Sequence, residues 1–79
     1  MRARVFLRQT LFSLPGEAAH VPTGAAVLDG TLLRESEAGV AVRVTRWMDD
    51  RGRELAGAPR TLVVPATKLD HILLLEDSG

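Results

Sequence analysis

The sequence predicts a small all-β barrel of five strands, and three observations predict it. Val40, Val42 and Val44 alternate with Ala41, Arg43 and Thr45, the period-two signature of a strand buried on one face. Turn formers such as Leu14-Pro15-Gly16-Glu17, Pro22-Thr23-Gly24 and Ser36-Glu37-Ala38-Gly39 interrupt the chain repeatedly. No stretch reads as a long helix, so the apolar runs have only strand-length segments in which to be buried.

The elements follow in order. In the first segment Ala3, Val5 and Leu7 fall on one face of a strand, with Arg2, Arg4 and Arg8 on the other. A helix is the alternative there, since Ala3, Phe6, Leu7, Leu11 and Leu14 also make a stripe; the absence of a capping residue favours the strand. Residues 13–24 form a long loop. Between Ala25 and Glu35 the dipeptide Asp29-Gly30 marks either a two-residue hairpin turn or a bulge within one continuous strand. The Val40–Thr45 strand runs through Trp47-Met48 into residues 49–59, dense in charge, Gly and Pro, which form a long hairpin tip or flexible arm. Thr61 to Val64 returns as a strand. Pro65 to Leu69 suits a single 3₁₀ turn, and Asp70 to Leu75 makes the last strand. The barrel spans residues 1–75, leaving Glu76-Asp77-Ser78-Gly79 as a solvated tail.

Composition narrows the functions. With 79 residues the chain makes one domain, whose small core leaves a thin margin of stability unless self-association adds to it. No cysteine is present, which excludes a disulfide scaffold, a thiolate metal site and a thiol nucleophile. Ten Lys+Arg balance ten Asp+Glu, arguing against a protein that coats nucleic acid through bulk charge. The N-terminus lacks the uninterrupted apolar core of a signal peptide and no run is long enough to span a membrane, so the expected location is the cytoplasm.

Val63-Val64-Pro65-Ala66-Thr67-Lys68-Leu69-Asp70-His71-Ile72, a strand, a Pro-led turn and a final strand, resembles the ending of SH3-like barrels. Val21 to Val44 in turn resembles the bacterial Sm-like RNA chaperones, with Val21-Pro22 leading into a strand and Glu35-Ser36 preceding a turn and a Val-rich strand. That second resemblance implies a ring of identical subunits binding single-stranded RNA. Two departures stand beside it: Lys68 and His71 are separated by Leu69-Asp70 where that family has a Lys-His dipeptide, and residues 49–59 exceed its minimal barrel.

Residues able to carry catalysis are sparse. His20 and His71 have no Ser or Asp at a spacing that suggests a nucleophilic triad with Ser13 or Ser36. Asp49-Asp50 reads as the start of a turn closed by Gly52 rather than a cation site, and Gly52 and Gly57 lack the lysine and helix of a phosphate loop. The expectation is a non-enzymatic protein without cofactor or metal.

The interaction candidates are Arg43, Arg46, Trp47, Arg51, Arg53 and Lys68. If Val40, Val42 and Val44 face the core, strict alternation puts Arg43, Thr45 and Trp47 on the outer face, where an exposed Trp beside Arg can stack on a base or anchor a protein. The competing reading makes Trp47 a core residue closing the barrel end, with the arginines paired to Asp49, Asp50, Glu54 and Glu35. Ile72 to Leu75 also carries two readings: an open edge that pairs with a neighbouring subunit, or the most buried strand of a monomer. The expected function is binding, through self-assembly or a protein partner, with an Sm-like single-stranded RNA ring as the alternative.

Overall fold

In the computed structural model, which describes residues 1–16 and 21–75, the chain folds into a curled antiparallel sheet that forms a half-barrel. Its elements are β1 (Arg2–Leu7), β2 (Val27–Ser36), β3 (Gly39–Met48), β4 (Glu54–Leu55), β5 (Arg60–Pro65), a 3₁₀ turn (Ala66–Lys68) and β6 (Leu69–Leu74). The strand order is β4-β3-β2-β1-β6, with β5 on the same edge of β3 as β4 but further along it. The fold class holds, with β4 a two-residue addition to the five expected strands. The small barrel with one 3₁₀ turn before its last strand is compatible with both SH3-like and Sm-like barrels.

The N-terminal segment is a strand because its alternation works. Ala3, Val5 and Leu7 are buried, while Arg2 and Arg8 lie in solvent. A helix would scatter those three small apolar side chains around its circumference and would give up the two antiparallel ladders β1 makes with β2 and β6. The loop after it is tied down by backbone bonds, Leu11 N–H to the Ala25 carbonyl at 2.8 Å and Gly24 N–H to the Leu11 carbonyl at 2.9 Å. The tail beyond Leu75 lies outside the described residues.

Asp29-Gly30 is the bulge of the two alternatives. β2 runs unbroken through it, and opposite it the register with β3 steps from Asp29↔Arg46 to Gly30↔Val44. A Cβ on Gly30 would overlap the Arg43 carbonyl oxygen, so the backbones approach there only because position 30 carries no side chain. The step leaves Thr45 as the extra residue of β3. A second step leaves Leu33 unpaired in β2, where it stands exposed.

The core is a single cluster: Val5, Leu7, Ala25, Leu28, Val40, Val42, Val44, Trp47 and Val64. Seven of these belong to the three neighbouring strands β1, β2 and β3, Ala25 lies just before β2, and only Val64 comes from β5. β6 contributes no buried residue, although Leu69 and Ile72 pack against the cluster. The expectation of Ile72 to Leu75 as the most buried strand is therefore corrected. Among the described residues β6 has one strand neighbour, β1, and the sheet does not close over it, which leaves Leu73 and Leu74 about half exposed.

Candidate functional site

The bulge decides what the outer surface carries. Up to Val44 the alternation of β3 is regular, with Val40, Val42 and Val44 buried. Thr45 and Arg46 then both lie in solvent, and Trp47 turns inward. Strict period two placed Trp47 outside; one extra residue reverses the parity, so its indole is 0% exposed. Trp47 thus closes the barrel end and is not available for stacking on a base or inserting into a partner. Its indole Nε1–H donates to the Ala58 carbonyl at 3.1 Å, satisfying the one polar group the ring brings into the core.

That contact also explains residues 49–59, which fold back instead of forming a free arm. Asp49 starts the reversal: its carboxylate accepts from Arg53 N–H at 2.8 Å and Arg51 N–H at 2.9 Å. The Arg53 amide above all, with the Arg51 amide and both guanidinium charges, holds the Asp49 carboxyl below its ordinary value against a smaller opposing desolvation. β4 then pairs Leu55 with Trp47, and Gly57 lies against the indole, where a Cβ would come within 2.8 Å of its Cδ1 atom. The excursion is a cover for Trp47.

The arginines form a charge ladder across the outer face. Arg4 on β1 and Asp29 on β2 are register partners, and Arg4 donates through Nε at 2.7 Å and Nη2 at 3.0 Å to the two carboxylate oxygens. Asp29, first through its hydrogen bonds and then through its charge, raises the Arg4 guanidinium above its already high ordinary value. Arg46 comes from the other side, 3.9 Å from Asp29, and donates to Glu54 at 2.9 and 3.1 Å. Four charges of alternating sign thus cross β1, β2, β3 and β4. β1 and β3 flank β2, and Asp29 on β2 sits between Arg4 and Arg46, so the two cations do not merge into a basic patch.

The six candidate residues therefore do not meet in one site. Arg46 is committed to Glu54 and Asp29, and Trp47 is internal. Arg43 stands on the outer face opposite Thr31 and Thr61, and Arg51 and Arg53 occupy the turn after β3. Among the described residues none of these three, nor Lys68, has a carboxylate within 4 Å. Lys68 lies apart from them, at the end of the 3₁₀ turn.

Lys68 instead lines a groove of about 430 Å³ that the sequence did not disclose. The groove runs along the open side of β5, between Leu62, Val63 and Pro65 on one wall and Leu11 and Phe12 on the other. Phe12 and Val63 are its exposed apolar lips, at 77% and 73%. The groove exists because β5 pairs only with β3 and β6 only with β1 among the described residues, so the half-barrel keeps a seam. An open strand edge beside an apolar groove can take another extended chain through backbone hydrogen bonds.

The polar residues considered for catalysis are occupied locally. Ser13 Oγ lies 2.8 Å from Thr23 Oγ1, and Ser36 Oγ accepts from Ala38 N–H within its turn. His71 stacks on Phe6, ring centroids 4.1 Å apart, with Nδ1 3.4 Å from an Asp70 carboxylate oxygen. His20 lies outside the described residues. Among the described residues no three His, Asp or Glu side chains gather to hold a metal ion, and no helix is long and apolar enough to cross a membrane. No family model, curated protein or solved structure matches the chain.

Proposed function

We propose that this chain is a non-enzymatic, cytoplasmic binding module that acts through self-assembly or a protein partner, using the open strand edges of its half-barrel. The observation that carries this reading is the single strand neighbour that β5 and β6 each have among the described residues, together with the exposed apolar residues beside them: Phe12, Val63, Leu73 and Leu74. A monomer gains nothing from leaving a sheet edge and four large side chains in water, whereas pairing that edge buries them and satisfies its backbone groups. Trp47 is internal, so the seam takes the place of the exposed-Trp surface that strict alternation predicts.

Solution mass by light scattering on a sizing column tests the reading. A mass above one chain, falling on dilution, is expected. A monomer at every concentration removes self-assembly, and pull-down with Val63→Lys as the control then decides whether a protein partner remains.

Single-stranded RNA binding by Arg43, Arg46, Arg51, Arg53 and Lys68 is the second reading, supported by Arg43 and Lys68, which have no carboxylate within 4 Å among the described residues. RNA affinity carried by these residues falls steeply as salt rises, with a slope of about −0.7 per phosphate neutralised on a log–log plot. An apolar strand-edge contact responds little. Replacing Arg43 and Arg46 with Ala separates the two contributions on β3, because only Arg43 lacks a carboxylate partner.

A further inference from the structure

Resting on the protein-partner reading above, we propose that the β5 groove takes an extended segment of another protein, added antiparallel to β5, in which an acidic residue precedes two apolar residues at alternate positions. The backbone fixes how that segment lies. Ala66 N–H donates to the Ala38 carbonyl at 2.8 Å, and Val64 and Leu62 continue the same register against Val40 and Val42. Bonding alternates along an antiparallel ladder, so these residues spend their backbone groups on β3. Thr61 and Val63, between them, turn their N–H and C=O groups to the open edge. Pro65 ends that edge, having no N–H to offer.

Side chains and charge then set the pattern. Leu62 and Val64 pack inward, so residues of the added strand opposite them face the groove floor of Leu7 and Leu11 and are apolar. Past Pro65 the groove ends at Lys68. Arg8 is bound to the same turn, its N–H donating to the Lys68 carbonyl at 2.9 Å and its Nε to the Leu69 carbonyl at 2.9 Å. Among the described residues neither cation has a carboxylate within 4 Å, and no acidic residue lines the groove. An antiparallel segment brings its N-terminal end to these two cations, which is where its carboxylate belongs.

A second copy of this chain does not meet both demands. Another β5 supplies no acidic residue anywhere from Arg60 to Leu69. β6 carries Asp70, Ile72 and Leu74 at the right spacing, but with Ile72 opposite Val64 it has to bond through Leu73 and Leu75. Those groups already serve β1, Leu73 opposite Arg4 and Leu75 N–H on the Arg2 carbonyl at 2.9 Å. A free segment of another protein has no such prior ladder.

Fluorescence anisotropy on the full chain tests this with a labelled, terminally capped heptapeptide. It carries one glutamate followed by valine and leucine at alternate positions, with threonine between them. Saturable binding is expected. Lys68→Glu is expected to weaken it at least about tenfold, and exchanging the peptide glutamate for lysine restores binding to that variant. N-methylation of the threonine between valine and leucine, the residue opposite Val63, is expected to cost about tenfold. Val63→Pro does the same from the other side, because it removes an N–H that β3 does not use. Circular dichroism melts establish that both variants fold. Unchanged affinity in Lys68→Glu, or for the N-methylated peptide, overturns this proposal. So does a chain that binds no such peptide: if it still self-associates, the seam reading above stands. If it also stays monomeric and captures no protein that Val63→Lys loses, that reading falls with it.

Discussion

The centre of the sheet and its two ends are built from the same aliphatic residue types, yet they bury them to opposite extents. In β3, Val40, Val42 and Val44 are at most 3% exposed. In β6, Ile72-Leu73-Leu74 is part of the most apolar run of the sequence and holds no buried residue. Hydrophobicity does not separate them; strand neighbours do. β3 pairs with β2 on one edge and with β4 and β5 on the other, and its inner side chains interdigitate with those of β1 and β2. β6 has β1 alone. Burial in this small sheet is a property of position in the strand order, and the apolar surplus collects where the order ends.

That contrast can be broken at its strongest point first. Trp47→Ala removes the largest fully buried side chain and leaves the Ala58 carbonyl without its donor, a loss of about 4 kcal/mol. For a chain of this size the loss approaches the whole folding stability, roughly 4–12 kcal/mol. Denaturant melts monitored by far-ultraviolet circular dichroism should show the variant largely unfolded in buffer; a stable fold would mean that residues 49–59 repack over the gap.

A matched pair of truncations sharpens the comparison directly. Val42→Ala in the centre is expected to cost about 2 kcal/mol, because its neighbours cannot close the cavity. Val63→Ala at the seam removes the same two methyl groups from a side chain 73% exposed and should change monomer stability by less than about 0.5 kcal/mol. Equal midpoint shifts in urea would show that β5 is already covered, as it is in an assembly.

Smaller effects belong to the polar outer face. Asp29→Ala leaves Arg4 without its carboxylate and should cost about 1–2 kcal/mol, below the figure for a fully buried pair because the Arg4 side chain is 35% exposed. Asp49 makes the least contribution and the one most dependent on pH. Its carboxyl is held below the ordinary value in the folded chain, so the contribution is fully present above the unfolded value near 3.8 and is lost as pH falls through the lower, folded value. Carbon-detected titration of the Asp49 side chain should show a midpoint below the ordinary aspartate value of 3.8; a midpoint at that value would mean that the turn does not hold the carboxylate.

Most of the architecture is written locally and could be read from the chain. The valine alternation, the turn at Ser36–Gly39, the 3₁₀ turn after Pro65 and the final strand are each set by neighbours within a few residues. What escaped was set by register. Whether Asp29-Gly30 made a turn or a bulge depended on β3 lying alongside, and the side on which Trp47 fell depended on that bulge. Gly30 was the available signal, as a residue without a side chain in the middle of an otherwise good strand. The seam was legible only in part, because an apolar run such as Ile72–Leu75 does not state how many partners it has. The Phe12 groove left no local mark at all, since its two walls stand about fifty residues apart in the chain.

The extra residue at Thr45 has a consequence for how this chain tolerates change in length. Deleting Thr45 would keep Arg46 opposite Asp29 and Trp47 opposite Leu28 and restore plain alternation, with Val44 inward, Arg46 outward and Trp47 inward. Deleting Arg43, equally exposed but inside the regular ladder, would instead turn Val44 outward. Tolerance of a change in length in β3 therefore follows the register, and solvent exposure alone is a poor guide to where the chain can be lengthened or cut.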